Sequence, residues 1–361
     1  MDHVLVTGGA GFIGSNFVRY LLDAEPAVHL VNLDALTYAG SPLNLEGLPD
    51  ASRHIFVHGD IADRPLVEDL LRRHRIDTIV HLAAETHVDR SIHGPAAFIR
   101  TNIEGTFSLL EAARTVWLEE RSLPTDQVRF HHVSTDEVYG ALSPDEAPAD
   151  EDHPYRPTSP YAASKAASDH LVRAYARTYG LPVTVSNCSN NYGPRQFPEK
   201  LIPLMILHAL AGKPLPVYGD GRQVRDWIHV DDHCEGLLTI LRKGRPGETY
   251  HVGGGVQVAN LDLIRSLCRL LDARLPSSPN RPHERLITFV TDRPGHDRRY
   301  ALAIDKIESQ LGWQPRQSLD SGLARTVDWY LANPAWIEAI QARPSFDAWI
   351  ERNYTARGVA G

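Results

Sequence analysis

The opening run VLVTGGAGFIGSNFVRYLL, residues 4–22, leaves few folds open. A short β-branched apolar stretch passes through a glycine turn into an amphipathic helix pattern. Gly9, Gly11 and Gly14 satisfy GxGxxG, and Gly8, Gly11 and Gly14 satisfy GxxGxxG. Glycine at such positions permits a tight turn, close backbone approach to a pyrophosphate and helix-on-strand packing. The following helix then presents its positive N-terminal end to the phosphates. The next apolar run, 28–33, ends in Asp34, at the offset of about twenty residues where a carboxylate takes the adenosine ribose diol. That acid would repel a 2′-phosphate, so the expected cofactor is NAD rather than NADP.

Further apolar runs at 54–57, 78–82, 128–134 and 182–187 alternate with helical patterns, which predicts an α/β fold built on a Rossmann-type doubly wound parallel sheet. After Cys188 the alternation stops. The 361 residues exceed one typical domain, so a smaller mixed α/β substrate-binding lobe is expected. The division expected is 1–187 with 227–255 for the NAD-binding domain, and 188–226 with 256–361 for the second lobe. A net charge of −8 argues against nucleic acid or anionic membrane as partner. Cys188, Cys234 and Cys268 are odd in number and widely spaced, as in reduced cytoplasmic proteins. No run is long and apolar enough to span a bilayer, and the first apolar stretch leads into the glycine loop rather than a signal-peptide cleavage site.

In an open parallel sheet, ligands bind beyond the carboxyl ends of the strands. The 128–134 run ends there in Ser134-Thr135-Asp136-Glu137, a hydroxyl and two carboxylates side by side. At the neighbouring strand end lie Leu82, Ala83 and Ala84, small enough for a cofactor to rest on the backbone, then His87 and Arg90. Asp60 and Ile61 are placed to flank an adenine, although Asp60 could equally cap the next helix. Asn102 would face back toward the strand ends from a helical pattern over 95–117. Tyr161 and Lys165 stand one turn apart on a helix starting near Ser159, and the ammonium is expected to lower the phenol pKa toward working pH. The proline- and acid-rich 143–160 stretch reads as a loop placed like a lid. Val230-Asp231-Asp232-His233 reads as acids capping a helix rather than metal ligands, and no metal is expected.

A glycine loop, Asp34, Thr135, Tyr161 and Lys165 are what hydride transfer from a carbinol to NAD requires. Asp136 and Glu137 are surplus to oxidation. Beside a newly made ketone, one carboxylate can remove the adjacent proton while a carboxylic acid protonates a departing hydroxyl.

TGGAGFIGS, AAETHVDRS, VSTDEVYG, YAASK, NNYGP with PEKLIPL, GDGRQVRDWIHVDDH and RPGHDRRY together resemble the dTDP-glucose 4,6-dehydratases of the extended short-chain dehydrogenase/reductase family over nearly the whole chain. The resemblance implies NAD as cofactor, dTDP-glucose as substrate, a homodimer and a role in deoxysugar biosynthesis. It implies that Tyr161 is the base at the C4 hydroxyl, Asp136 the acid at the C6 hydroxyl and Glu137 the base at C5. Thr135 and Lys165 complete the catalytic set. The expected cofactor contacts are Gly8, Gly11, Phe12, Ile13, Gly14, Asp34, Asp60, Ile61, Leu82, Ala83, Ala84, Asn102, Ser134, Tyr161, Lys165 and Asn187. Thr86, His87, Glu137 and Asn190 are implied to line the hexose. Lys200, Leu201, Pro216, Tyr218, Arg225, Asn260, Arg293 and His296 are implied to hold the nucleoside diphosphate. Thr86 stands where the family often has serine, and Arg195 where tyrosine is common. Ala162, Ala163, Ala166, Ala167 and Ala174 would suit either a partner helix or the protein's own sheet. Two other readings compete: a nucleotide-sugar epimerase or decarboxylase, which has no use for Asp136 beside Glu137, and a non-catalytic NAD-sensing scaffold, which has none for an intact Thr–Tyr–Lys set.

Overall fold

In the computed structural model, residues 1–343 are described, so the end of the expected second lobe, 344–361, lies outside the described residues. Seven parallel strands form the main sheet in the order β10-β6-β5-β4-β1-β2-β3. They are β1 (His3–Thr7), β2 (His29–Asp34), β3 (His54–His58), β4 (Thr78–His81), β5 (Arg129–Thr135), β6 (Val183–Cys188) and β10 (Thr249–Val252). Alternate side chains of one strand feed opposite layers, as a two-residue period requires. Leu5, Ile79, Phe130 and Val185 pack against Leu71, Leu110 and Val172 on one face. Val4, Val6, Val80 and Val133 pack against Phe17, Leu21 and Leu237 on the other. Burial on both faces is why these strands read as continuous apolar runs.

Outside the main sheet, β7 (Asn190–Tyr192), β9 (Val224–His229) and β11 (Gln257–Ala259) form a three-stranded sheet, and β8 (Leu215–Tyr218) pairs with β12 (Ile287–Val290). Their core joins Ile202, Met205, Leu215, Trp227, Leu267, Leu323 and Trp336. Among the described residues, no helix is long and apolar enough to cross a membrane.

Several local expectations change. The three-residue β7 and β11 have no apolar alternation of their own, and their register comes from β9. Val88–His93, read as loop, is a helix, and another helix covers Pro334–Gln341. Asp60 does not cap the helix Arg64–Arg73: Asp63 does, accepting from the Leu66 amide at 3.2 Å, while Asp60 accepts from the Ala62 amide. Asp231 and Asp232 are not caps either. The His229 ring caps that helix through the Asp231 amide at 3.2 Å, and the two acids occupy its first turn. Asp231 pairs with Arg325, and Asp232 accepts from the Gln317 amide. The lid expectation also changes, because the acid-rich loop is fastened along its length. Leu142 and Ala149 donate to the Arg299 and Ala301 carbonyls, Ala303 donates back to Ala149, and Arg156 donates to Val138. Arg299 also reaches the Ser143 and Glu146 carbonyls.

Candidate active site

One cleft opens beyond the carboxyl ends of the main strands. It is lined by Gly8, Gly11, Phe12, Ile13, Gly14, Asp34, Asp60, Ile61, Leu82, Ala83 and Ala84 on one side, and by Thr86, Ser134, Thr135, Asp136, Glu137, Tyr161, Lys165, Asn190 and Lys200 on the other. Gly8 has φ +73°, and a Cβ there would lie 2.7 Å from the Ala83 backbone. A Cβ on Gly14 would lie 2.1 Å from the Gly8 carbonyl oxygen. The helix Phe12–Ala24 starts at Gly11 with no side chain capping it, so its first amides are left for an anion. Asp34 accepts from the Ala10 and Leu36 amides at 2.8 and 2.7 Å, one per carboxylate oxygen, which leaves further lone pairs on both oxygens. Burial raises its pKa, and those amides oppose the rise. A loop without side chains at a bare helix end, followed by a fixed carboxylate, fits NAD. Gly14→Ala is expected to cost about 1–3 kcal/mol of stability and to abolish NAD binding. Thermal unfolding with and without NAD checks this; normal stabilisation of the variant by NAD would remove the loop from cofactor binding.

Asn102 and Asn187 do not line the cleft. Asn102 donates to the Glu85 carbonyl and the Ser164 hydroxyl and accepts from the Glu85 amide, holding the segment after β4 to the helix Pro160–Tyr179. Asn187 donates to the Thr135 carbonyl at 3.1 Å and so fixes the end of β5.

Thr135 caps a single helical turn, Asp136–Tyr139, accepting from the Glu137 amide at 3.3 Å and donating to Asp136 at 3.2 Å. This turn brings both carboxyls to the cleft. Asp136 is 4 % exposed. Its pKa is raised well above the usual range by burial, then by the charges of Glu137 and Asp226. Glu137 is raised by burial too, but Arg293, Arg225 and Lys200 pull it back. Environments that push two neighbouring carboxyls apart make the first an acid and the second a base.

The phenol of Tyr161 differs from the sequence expectation. Burial and then Glu137 raise its pKa, and the group pulling it down is the Thr135 hydroxyl rather than Lys165. The Lys165 ammonium instead donates to the Val133 carbonyl at 2.8 Å, and burial lowers its own pKa to about 8.

On the far side, Arg225 donates to the Val224 and Asp297 carbonyls and lies 4.3 Å over the Tyr300 ring. Arg293 is 3.5 Å from Asp89. The rings of Tyr218 and His296 meet edge-on at 6.0 Å, and His296 bonds Asp292 at 2.6 Å. Lys200 donates to the Thr86 carbonyl, and Leu201 begins the helix Leu201–Leu210. His87, at the start of the Val88–His93 helix, is held neutral by burial. Pro216 is buried in β8. Buried Asp136 Oδ2, Asn190 Oδ1, Asn260 Oδ1 and Arg293 Nε have no hydrogen-bond partner among the described residues, as atoms that await a polar ligand would. Arg195 lies elsewhere, 5.5 Å over the Trp329 ring and 3.3 Å from Asn16.

Sequence reasoning missed Tyr38 and Glu199, which line the cleft. Arg90 lies 3.9 Å over the Tyr38 ring and 3.0 Å from Glu199. Glu199 sits within the PEKLIPL block, which could have flagged it; Tyr38 follows β2 in irregular chain that carries no signal.

The family model for GDP-mannose 4,6 dehydratase matches residues 5–326. The dTDP-glucose 4,6-dehydratase of Xanthomonas campestris pv. campestris is 56% identical, over 93% of this chain and 95% of that one. The dTDP-glucose 4,6-dehydratase 1 of Escherichia coli is 51% identical over 98% and 99%. Among solved structures, the Streptomyces venezuelae dTDP-glucose 4,6-dehydratase DesIV, with NAD and dTDP bound, superposes with a TM-score of 0.84 at 48% identity, covering 94% of this chain and 99% of that one. The UDP-glucose 4-epimerase of Thermotoga maritima superposes with a TM-score of 0.79 at 30% identity, covering 92% and 99%.

Proposed function

The chain belongs to the GDP-mannose 4,6-dehydratase family, and on that premise we propose that its cleft dehydrates dTDP-glucose to the 4-keto-6-deoxy sugar nucleotide, with NAD as resident cofactor. The enzyme is an NAD-dependent, redox-neutral carbon–oxygen lyase of deoxysugar biosynthesis. Bound in this cleft, NAD would supply the hydride acceptor needed at C4 of the hexose and the hydride donor needed at C6. Gly8, Gly11 and Gly14 would make room for its diphosphate, Asp34 would hold the adenosine ribose, and Lys165 would hold the other ribose.

Tyr161 is protonated at rest; once its own proton has left to solvent, its phenolate takes the C4 hydroxyl proton while Thr135 hydrogen-bonds the same oxygen. With C4 a ketone, the C5 proton is acidic enough for Glu137 to remove. Asp136, held protonated by burial, donates its proton to the C6 hydroxyl, which leaves as water. Glu137 exchanges that proton with solvent and then delivers a solvent-derived one to C5. Lys200, Arg225 and Arg293 neutralise the diphosphate, and the guanidinium groups offer planar forks. The Asp136–Glu137 contrast carries this reading, because a C4 epimerase on the same scaffold needs no acid beside its base.

Turnover of dTDP-glucose in deuterated water tests it. Solvent deuterium is expected at C5 of a 6-deoxy product. An unchanged C6 hydroxymethyl, with inversion at C4, would establish an epimerase instead.

A homodimer is proposed through the helical layer 96–120 and 160–179. Ile99, Phe107 and Tyr179 are exposed there. Ala163 and Ala174 of the second helix also face outward, whereas Ala162 and Ala166 face inward. Exposed apolar side chains grouped on one layer favour association. A cytoplasmic location is proposed from three cysteines that are all free and buried.

A further inference from the structure

Lys165 is a buried ammonium facing the cleft, and what compensates its charge lies behind it. One helical turn on, Asp169 is fully buried, 0 % exposed, in the middle of the same helix. Its Oδ2 accepts from the Ser134 hydroxyl at 2.9 Å, the Tyr155 phenol at 2.8 Å and Asn187 at 3.4 Å. Its Oδ1 has no hydrogen bond and lies 3.2 Å from His132 Nε2, which in turn is 3.5 Å from the Lys165 nitrogen. A carboxylate held on one oxygen and bare on the other, at i+4 from a lysine, directs its charge into that pocket.

We propose that Asp169 is a positioning residue for the reaction: acting through Lys165, it keeps the buried ammonium charged and, with His132, keeps it pointed at the cofactor ribose. The inference rests on the assignment of Lys165 to the cofactor given above. The other groups facing Lys165 do not supply this charge. His132 of β5 and His81 of β4 are neutral because burial lowers both. Burial raises Cys188 of β6 to about 12, so it is a thiol. Tyr161 is likewise protonated. Arg173 is a cation that reaches Asp169 through the Tyr155 phenol at 2.7 Å. Asp169 itself stays ionised: burial raises it, but the adjacent His132 ring, then Lys165 and the Ser134 hydroxyl, hold it below the ordinary aspartate value. Tyr155 comes from the fastened acid-rich loop, so that loop helps to hold the carboxylate.

The sign follows directly. The useful form of Lys165 is protonated, and it is lost as pH rises through a pKa of about 8. Removing the carboxylate makes the ammonium less favourable, so Asp169→Asn is expected to move the alkaline limb of NAD affinity and of turnover down by about one pH unit or more. NMR of ε-¹³C-lysine in the purified full chain should show one lysine titration displaced by the same amount. Asp169→Glu, which keeps the charge, should leave the limb close to its original position. In a Lys165→Met background, Asp169→Asn should weaken NAD binding no further.

A limb that does not move in Asp169→Asn, or an added loss of NAD affinity in the Lys165→Met background, would overturn the proposal. Asp169→Ser serves if the Asn variant does not fold. Failure of both neutral variants to fold, while Asp169→Glu folds, would assign the carboxylate to stability and equally overturn it. Lys165→Met with unimpaired NAD binding would instead refute the role given to Lys165, which separates the two readings.

Discussion

Tyr161→Phe is expected to lower kcat by about 10²- to 10⁴-fold, the range for loss of a positioned proton acceptor, with little change in KM or thermal stability. The ring packs with Val88 and Phe98 in a small apolar cluster, and its edge meets Phe98 at 6.3 Å. Phenylalanine preserves those contacts, so the change is confined to the oxygen. That oxygen is where the C4 proton goes in the proposed mechanism. Steady-state kinetics beside a melting curve check the expectation. A kcat little changed, with the fold intact, would move the first proton transfer to Glu137, the partly buried base nearest in chain to Thr135.

Glu137→Gln should separate the steps. The amide keeps the size of the side chain but cannot take a proton, while Thr135, Tyr161 and Lys165 remain. Oxidation at C4 is therefore expected to continue and the elimination to stop: the protein-bound cofactor accumulates in its reduced form, seen by absorbance, and no 6-deoxy sugar is released. The loss in product formation is again about 10²- to 10⁴-fold. Arg225, Arg293 and Lys200 surround this position. Losing the negative charge among them should, if anything, tighten binding of the nucleoside diphosphate, so a raised KM would not explain the loss. Product formation at the original rate would remove Glu137 from the chemistry.

How much was legible in the sequence follows from the range over which each feature is encoded. The main sheet was readable because each strand is a continuous apolar run; the run expected over 128–134 is Arg129–Thr135 in the structure. The glycine loop and the Thr-Asp-Glu turn are contiguous, and Tyr161 and Lys165 are one turn apart, so local pattern suffices for all of them. Asn190–Tyr192 was not readable as a strand, because its pairing with Trp227–His229 is decided by a distant segment. The Arg90–Tyr38–Glu199 contact joins three separate segments, and local pattern flags Glu199 alone, through the PEKLIPL block, and not the contact. Asp169 was within reach, standing four residues after Lys165, but a polar residue inside a helix reads first as surface. The expected effect of Lys165 on Tyr161 failed for a related reason. Spacing placed the two on one face, but spacing does not reveal the Val133 carbonyl that takes the ammonium's hydrogen bond.

The fastening of the acid-rich loop also bears on the order of biogenesis. The backbone partners that grip its first half, Arg299, Ala301 and Ala303, are translated more than a hundred residues after the loop itself. The cofactor half of the protein can therefore emerge from the ribosome and close its sheet as far as β6 while this crossing is held only at its second half, through Tyr155 and Arg156. Arg293 and His296 arrive with the same late segment. The nascent polypeptide thus completes a nucleotide grip begun by Lys200 and Arg225 at the same stage at which the loop gains these anchors.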